Sequence, residues 1–385
     1  MKNFTFTFKR ILAVLILLTA IVDTALPTLA SVAPESNMGM NQQVLPTVEG
    51  QYGANLNNVT GATVTPGTTY ADVTTPGQAS YLQWNTLNTA PGQTLNYTFL
   101  NNGTSFNSVM GGGLSRFAGS LTQEGAGRIV ISNPNGILFE NGAMVNANAM
   151  TLTTQEIQGF NPATNTVTWG TYGNGGIQIG QGDFNNAVVM RINNDLTVVA
   201  PAGIAVNGAD ILAGDVKLVT ADGVNYYASS EGITNEVQAN ATLTTPQIET
   251  LVAETNYNGV QQAILIKDSA IAVKNNETGK IYFTTKNGTV KESIAAIDSA
   301  LDGKIVLNVG GNADLNLIGN INVESQHVGG NLTTNSVDKT LTLKHNSTST
   351  DSITNTSLEQ YMMANGYYTT TYKWVKVNVI SAGVS

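Results

Sequence analysis

A repeated pattern of short apolar runs, each ended by a glycine or asparagine turn, constrains the fold of this chain more than any other feature. The runs Ile204-Ala205-Val206, Ile211-Leu212-Ala213 and Val216-Lys217-Leu218-Val219 are separated only by Asn207-Gly208 and Gly214-Asp215. Apolar runs of this length between turn residues indicate strands. Three short strands per repeat are typical of a parallel β-helix, in which successive coils stack about 4.8 Å apart.

The same pattern occurs later in the chain, at Lys304-Ile305-Val306-Leu307, Leu315-Asn316-Leu317 and Ile321-Asn322-Val323. Asn is also more frequent than Asp and Glu together, which number 26. Asn tolerates left-handed backbone at tight turns, and its amide can bond to an equivalent Asn one coil away. We therefore predict an all-β solenoid, a single-stranded parallel β-helix; a β-sandwich or barrel with glycine-rich turns is the alternative.

Helical signals are scarce. Apolar spacing predicts one helix over Val290 to Leu301, and an N-cap at Ser357 predicts another ending at Ala364, before Asn365-Gly366. The alternating segment Trp374 to Ile380 reads as a strand. This helix and strand would form a small cap over the open end of the stack, where bare strand edges invite aggregation.

The first 33 residues have the three-part pattern of a secretory signal peptide. Lys2, Lys9 and Arg10 are followed by an apolar run from Ile11 to Val22 and by small residues near Ala33. The run is shorter than the roughly 20 residues that a membrane-spanning helix needs. We therefore predict a signal peptide over residues 1–33 and export from the cytoplasm.

The composition excludes several classes of function. With no Cys and 2 His, the chain lacks the residues for disulfides, thiolate metal sites or a Cys nucleophile. A net charge of -9 argues against nucleic-acid binding. Cations are few before Val216 and more frequent after it, which indicates a boundary between two modules or between two stretches of one long module, assigned to residues 34–225 and 226–385. We expect no metal and no cofactor.

Four motifs lie in sequence between Ser80 and Thr154. They are Trp84-Asn85-Thr86-Leu87-Asn88; Gly113 to Leu121, with Ser115 and Gly119; Gly127 to Phe139, with Asn133-Pro134-Asn135-Gly136-Ile137; and Gly142 to Thr154, with Asn146. Together they resemble the N-terminal two-partner-secretion domain of filamentous haemagglutinin-like adhesins. The close match covers about 75 residues, and looser similarity runs from Gln51 to Gly223. A second Asn-Pro-Asn-Leu motif, which some family members carry, is absent from this sequence.

The resemblance implies a right-handed parallel β-helix with side hairpins, assigned to residues 34–225. It also implies that this domain is an export signal, recognised in the periplasm by the soluble domains of a dedicated outer-membrane transporter. The secretion motif would comprise the residues from Asn133 to Ile137. The structural motif residues would be Trp84, Asn85, Asn88, Ser115, Gly119, Gly142 and Asn146.

Two readings of the turn at Asn133 stay open. In the first, Pro134 presets φ, Asn135 or Gly136 takes a positive φ, and the Asn133 side chain caps the turn. In the second, the turn contacts the transporter directly. Trp84 is expected in the core of an early coil. Arg116 and Arg128 are expected either to pair with Glu124 or Glu140 or to be solvated.

The function expected from the sequence is that of a surface or secreted adhesin-type protein, exported through the periplasm by a two-partner transporter. Host or bacterial surface receptors or glycans are candidate partners of such an adhesin. The alternative is a β-helical protein that binds or cleaves polysaccharide. Acidic side chains such as Asp72, Asp183 and Asp210 are isolated along the sequence, so we expect no enzyme activity.

Overall fold

The structure is a computed structural model that describes residues 41–221, 249–286, 291–319, 321–337, 341–346, 367–369 and 374–382. The predicted signal peptide, the boundary near residue 225 and the helix predicted at Ser357 to Ala364 lie outside these ranges. Within them, the regular structure is strand apart from one 3-10 turn at Phe184–Asn186. No helix of the described part has the length and apolar character needed to cross a bilayer.

The strands at the N-terminal end are β1 (Gln42–Val48), β2 (Tyr52–Thr60), β3 (Thr63–Thr65), β4 (Tyr70–Thr75), β5 (Ala79–Leu87), β6 (Thr94–Phe99) and β7 (Thr104–Val109). The central strands are β8 (Ser115–Phe117), β9 (Ser120–Glu124), β10 (Arg128–Ser132), β11 (Ile137–Phe139), β12 (Met144–Ala147), β13 (Ala149–Thr153), β14 (Gln155–Asn161), β15 (Thr166–Tyr172), β16 (Ile177–Ile179), β17 (Val188–Ile192), β18 (Asp195–Val199), β19 (Ile204–Asn207), β20 (Ala209–Ala213) and β21 (Asp215–Val219).

The remaining strands are β22 (Asn256–Tyr257), β23 (Val260–Gln261), β24 (Ile264–Lys267), β25 (Ala270–Val273), β26 (Lys280–Thr284), β27 (Ile294–Asp302), β28 (Lys304–Val309), β29 (Ala313–Ile318), β30 (Ile321–Val328), β31 (Leu332–Val337), β32 (Leu341–Asn346), β33 (Tyr367–Thr369) and β34 (Trp374–Ala382). The strand expected over Trp374 to Ile380 is therefore confirmed.

These strands form a parallel β-helix with three faces, as predicted. Face A is a 14-stranded sheet that contains β5, β7, β10, β13, β18 and β21. Faces B and C are the two halves of a 16-stranded sheet joined at β27; β20 lies on face B and β19 on face C. One coil runs from β18 on face A through β19 and β20 to β21, which pairs in parallel with β18. This coil thus uses three short strands, and the predicted triplet at Ile204, Ile211 and Val216 lies on β19, β20 and β21. The second predicted triplet lies on β28, β29 and β30, and there β29 is the one described strand between two neighbouring strands of face A.

Apolar side chains stack in register through the centre of the coils. On face A, Met150 pairs with Leu196, which pairs with Val216, and all three are fully buried. The stack continues past β21, because Val216 pairs with Ile281 of β26. At about 25 cal/mol for each Å² of apolar surface removed from water, these columns supply the main stabilisation of each added coil.

A side hairpin covers the outer surface of face A. Strands β14 and β15 pair antiparallel with each other. Their residues Ile157 and Trp169 pack with Tyr81, Phe106 and other apolar residues in a separate buried cluster. The side hairpins implied by the sequence resemblance are therefore represented by this one and by the short antiparallel pair β22 and β23. Face A is buried on both of its sides at the β14–β15 hairpin.

The N-terminal end of the stack is closed by antiparallel strands. Strand β1 pairs with β2 and β2 pairs with β5 in antiparallel register, whereas β5 begins the parallel ladder with β7. Val44, Leu45 and Leu56 of β1 and β2 are buried in the main core. These strands therefore cover the first coil, which would otherwise expose its core and an open strand edge.

The helix predicted over Val290 to Leu301 is wrong. Ile294–Asp302 is the strand β27, which bends from face C to face B. Asp298 has φ of 49°, and this left-handed residue turns the chain at the corner. Ile294 and Leu301 face the main core, whereas Ile297 packs outside it with Leu265 and Tyr257. Burial on both sides of one strand thus gives these three residues a spacing that resembles one face of a helix.

The coils are also joined by a partly buried ion pair on face A. Arg128 of β10 donates to both carboxylate oxygens of Asp195, at 3.2 and 2.6 Å, and to Thr151 of the intervening strand. Burial alone would raise the pKa of Asp195, but the hydrogen bonds and charge of Arg128 outweigh burial and hold this pKa below its ordinary value. The pairing of Arg128 with Glu124 or Glu140 expected from the sequence is therefore wrong.

We predict that Asp195→Asn lowers the unfolding free energy at neutral pH by about 2 kcal/mol, because it removes a hydrogen-bonded ion pair. A carboxylate whose folded pKa is lowered stabilises the fold above its unfolded pKa, and this contribution is lost as pH falls through the folded pKa. Urea titrations between pH 7 and pH 2 should therefore give a shallower acid loss in Asp195→Asn than in wild type. Asp210→Asn is the matched control, because the Arg191–Asp210 pair is 31% and 32% exposed and should contribute little. Equal acid loss in wild type and Asp195→Asn would contradict the assignment.

Candidate functional site

The turn at Asn133 links face A to face C and is buried. Asn133 and Asn135 are 0% and 2% exposed. The Asn133 carbonyl accepts from Gly136 N at 3.0 Å, which closes a β-turn. Its side-chain oxygen accepts from Asn135 N at 2.9 Å. The predicted side-chain cap is therefore confirmed, and Gly136, with φ of 112°, takes the positive φ.

Both asparagine side chains also reach back to the preceding coil. Asn133 Nδ2 donates to Gly113 O at 3.1 Å and to Ser115 Oγ at 3.0 Å. Asn135 Nδ2 donates to Gly111 O at 3.0 Å. These bonds satisfy carbonyl groups of a loop that has no strand partner at this corner. The two amides thus fasten one coil to the next where the ladder is interrupted.

Glycines make room for the turn on its other side. A Cβ on Gly175 would lie 2.2 Å from the Asn135 carbonyl carbon, and a Cβ on Gly173 would lie 2.0 Å from Pro134 O. Gly175 N donates to Pro134 O at 3.0 Å. Any side chain at these two positions would push the following coil away from the turn. The turn is therefore enclosed by the coil before it and the coil after it.

A later segment, which we call the strap (residues 249–255), lies across the same corner. It crosses the loops that lead into β8, β11, β16 and β19. Glu249 N donates to Gly112 O at 2.9 Å, Leu251 N to Asn135 O at 2.8 Å, and Gly176 N to Leu251 O at 2.8 Å. These contacts fall on three successive coils. The strap therefore covers the turn and binds the coils together along the axis of the stack.

A small charge cluster lies where the strap begins. Arg116 is 3.4 Å from Glu140 and 2.6 Å from Glu249. Of the two partners expected for Arg116, the structure selects Glu140. Tyr52 donates to Glu140 at 2.7 Å; its burial, together with this hydrogen bond, raises the pKa of Tyr52 to about 12. Asn88 supports the cluster, because its side-chain oxygen accepts from Arg116 N at 2.8 Å.

Trp84 is fully buried, as expected, and is the donor to a polar group inside the core. Trp84 Nε1 and the Tyr97 hydroxyl both donate to Asn107 Oδ1 at 3.0 Å. Asn107 Nδ2 donates in turn to Val130 O at 3.1 Å. Burial raises the pKa of Tyr97, so its hydroxyl remains a donor. Because every polar atom of the amide is satisfied, the network adds specificity to the first coils.

The remaining motif residues are dispersed over other parts of the stack. Asn85 donates to Asn55 at 2.8 Å on face A, an asparagine contact between neighbouring strands of the kind expected from the composition. A Cβ on Gly119 would lie 2.3 Å from Ala90 O, so this glycine permits a close backbone approach. Gly142 has φ of 82° and is required by a turn. Asn146 is exposed on face B, where it is in register with Arg191.

The structure therefore brings together only part of the predicted site. Ser115, Asn133, Asn135 and Gly136 meet at one corner, with Asn88 nearby through Arg116, whereas Trp84, Asn85, Gly119, Gly142 and Asn146 do not. Sequence reasoning missed Asn107 and the strap. A polar residue in the middle of the strand Thr104–Val109 signalled the first. No local pattern signals the strap, because its partners are distant in the sequence.

Among the described residues, no group of three or more His, Cys, Asp or Glu side chains could hold a metal ion. The acidic residues of the corner, Glu140 and Glu249, are instead both bound to Arg116. The arrangement at the corner is therefore one of structural hydrogen bonds around backbone groups.

No family model and no curated protein matches the chain. Among solved structures, the chain is similar to the crystal structure of the HMW1 secretion domain from Haemophilus influenzae. The two are 16% identical, the match covers 77% of this chain and 76% of that chain, and the TM-score is 0.44.

We predict that Gly136→Ala destabilises the protein by about 2 kcal/mol, because alanine is strained at positive φ. The added Cβ would also lie 2.5 Å from Leu251 Cβ and 2.8 Å from Gly176 O. Gly113→Ala is the matched control, since a Cβ there meets nothing within 4 Å and Gly113 has no positive φ. Chemical denaturation should separate the two variants. Similar unfolding free energies for both would show that the corner is not tightly packed.

Proposed function

We propose that this chain is an exported adhesin-type protein whose N-terminal coils are the secretion signal for an outer-membrane two-partner transporter. The observation that carries the proposal is the contact between two motifs of the resemblance. Ser115 and Asn133 lie in different motifs, yet they are hydrogen-bonded at 3.0 Å across consecutive coils. We call this hydrogen-bonded contact between the two motifs the joint. Motif residues that contact one another at one corner are stronger evidence for a shared function than the same residues dispersed over a surface.

The joint gives the turn a role in export through folding. Both asparagine side chains are buried, so in the folded chain they bond to the neighbouring loop and present nothing to a partner. Each coil leaves an open ladder edge that the next coil must satisfy. A turn that closes the coil at the correct length therefore sets the rate at which the next coil is added.

Composition fits passage of an unfolded chain through a narrow transporter. The chain has no Cys, so no crosslink can form before translocation, and only 11% of its residues are charged. Folding outside the cell would bury the apolar columns coil by coil, which makes return of the chain unfavourable. The signal peptide at residues 1–33 would serve the earlier step into the periplasm.

The proposed partners are the periplasmic recognition domains of the transporter and, after export, surface receptors or glycans. The proposed location is the cell surface or the medium. The role consists of binding and export without a catalytic step, a metal or a cofactor. Residues 34–225 would carry the export signal, and residues 226–385 would extend the β-helix.

We predict that Asn133→Ala combined with Asn135→Ala reduces secretion by a cell that carries the transporter. The change removes the cap and two bonds to the preceding coil, a loss of about 3 kcal/mol at the joint. Chain without its signal peptide should accumulate in the periplasm, as measured by immunoblots of periplasm and medium over time.

Asn146→Ala is the matched control for this experiment, because Asn146 belongs to the same resemblance but is exposed on face B. Its secretion rate should equal that of wild type. Secretion of the double variant at the wild-type rate would remove the turn from the export mechanism and leave the resemblance as one of shape.

A further inference from the structure

Asparagine followed by glycine recurs in the turns of this chain, and the pair is chemically labile. Among the described residues it occurs at Asn102-Gly103, Asn135-Gly136, Asn141-Gly142, Asn174-Gly175, Asn207-Gly208 and Asn258-Gly259. The backbone nitrogen of the residue after an asparagine can attack the side-chain amide carbon. Glycine leaves this nitrogen unshielded, because it has no Cβ. The residue that permits these turns therefore also exposes them to deamidation while the chain is unfolded.

The folded corner blocks this reaction at Asn135 in three ways. Gly136 N, the attacking nitrogen, donates to Asn133 O at 3.0 Å. Asn135 Nδ2, the leaving group, donates to Gly111 O at 3.0 Å. Asn135 is also 2% exposed, so the corner shields it from the water that completes the reaction. Attack on the side chain requires the turn to open, and the site is therefore protected as long as the corner is formed.

The products of deamidation do not fit the folded corner. Aspartate at position 135 would replace the amide donor with an ionised acceptor that faces Gly111 O in a buried site. A buried charge without a partner is strongly destabilising. Isoaspartate, the second product, adds one carbon to the backbone between residues 135 and 136. The added carbon moves Gly136 N away from Asn133 O, its acceptor in the turn. Either product therefore prevents the turn from closing.

We propose that Asn135 is a deamidation site that limits how long the unfolded chain stays able to fold. In the reaction, Gly136 N bonds to Asn135 Cγ, loses its proton and expels ammonia, which leaves a cyclic succinimide. Water then opens the ring at either carbonyl and gives aspartate or isoaspartate, so that water is consumed and ammonia is released. Folding closes the site. The chemistry is independent of the proposed function, but its consequence for export rests on that function, because a chain that waits unfolded in the periplasm is exposed to the reaction.

Peptide mass spectrometry of the mature chain measures the reaction at each asparagine. Samples are held at mildly alkaline pH, either folded in buffer or unfolded in guanidinium chloride, and are digested at successive times. Asn135 should deamidate at least about 100-fold more slowly in the folded chain, because reaction there requires the turn to open. Asn133 is the internal control, since the nitrogen of Pro134 carries no hydrogen and should not react in either state. Equal rates at Asn135 in the two states would overturn the proposal.

Asn258 is the matched site for the folded sample. It is exposed at the tip of the β22–β23 hairpin, and Gly259 N donates to the side-chain oxygen of Asn256 at 3.1 Å. In the folded chain Asn258 should react at least about tenfold faster than Asn135, because opening an exposed tip requires less free energy than opening a buried corner. Equal protection of the two sites would show that the corner does not protect Asn135 and would overturn the proposal.

Gly136→Ala tests the assignment of the attacking nitrogen, and it is measured only in the unfolded chain, where its effect on stability has no influence. The added Cβ should lower the deamidation rate at Asn135 at least about fivefold, because it shields the nitrogen of residue 136. The rate at Asn258 in the same sample should stay unchanged. An unchanged rate at Asn135 would show that this nitrogen is not the one that attacks and would overturn the proposal.

The wild-type chain also tests the consequence for folding. A sample partly deamidated in denaturant is refolded by dilution, and brief proteolysis separates the folded chains from the rest. Modified Asn135 should be depleted at least about tenfold from the folded fraction, as expected for a buried and unpaired carboxylate. Modified Asn258 should be equally abundant in both fractions, because its side chain is exposed. Equal abundance of modified Asn135 in the two fractions would overturn the limit on folding.

Cells that lack the transporter test the consequence for export. Chain retained in their periplasm should accumulate aspartate and isoaspartate at position 135, whereas chain secreted by cells with the transporter should carry asparagine there. Retained chain with unmodified Asn135 would overturn the limit in the cell. Failure of the proposed function appears separately, as normal secretion of the Asn133 and Asn135 double variant.

Discussion

The parallel ladder between consecutive coils is the interaction on which the rest of this structure depends. A strand such as β18 has its neighbours only above and below it, in β13 and β21, and its inward side chains pack on the same residues. A coil therefore cannot be stable alone, and its free energy of folding depends on the coil that precedes it. This one-dimensional dependence explains why the corners, where the ladder stops, carry the most specific residues of the sequence.

The corner at Asn133 shows how such an interruption is stabilised. No strand hydrogen bonds are available to the loop at Gly111 and Gly113, and the side-chain amides of Asn133 and Asn135 replace them. On the other side, Gly173 and Gly175 let the next coil come into backbone contact with the turn. An amide of fixed length and a residue without a side chain together set the spacing of the coils. The abundance of Asn and Gly in this chain follows from that requirement.

Local sequence patterns were sufficient to predict the β-helix, the three short strands that begin at Ile204, Ile211 and Val216, and the capped turn at Asn133, because each depends on neighbours in the sequence. Contacts between distant residues were not predictable. Arg128 was assigned to nearby acidic residues, yet the register of the stack brings it to Asp195. In the strand Thr104–Val109 the polar Asn107 faces the core and Phe106 faces outward, since the side hairpin covers that surface. The false helix at Val290 arose because one strand buries apolar residues on both of its sides, with Ile294 in the main core and Ile297 in the outer cluster beside Tyr257.

The proposed function explains the positions of these features if the stack folds from its N-terminal coils onward. Antiparallel strands cover the first coil, a buried amide network at Asn107 specifies the next ones, and the corner at Asn133 connects them to the rest of the stack. The strap then crosses coils that are already formed. Specific polar contacts are thus present where the stack begins, and they recur in the later coils, where Ser269 N donates to the buried Ser299 Oγ at 3.1 Å.

Pulse-labelling hydrogen exchange during refolding of the mature chain tests this central claim most directly. The account predicts that amides of β7, β10 and β13 become protected first, followed by β18 and β21 and then by β26 and β28. The amide of Leu251 should become protected after those of β10 and β13. Protection that appears in β26 and β28 before β10, or at one rate in all of these strands, would contradict a stack that grows from its N-terminal coils.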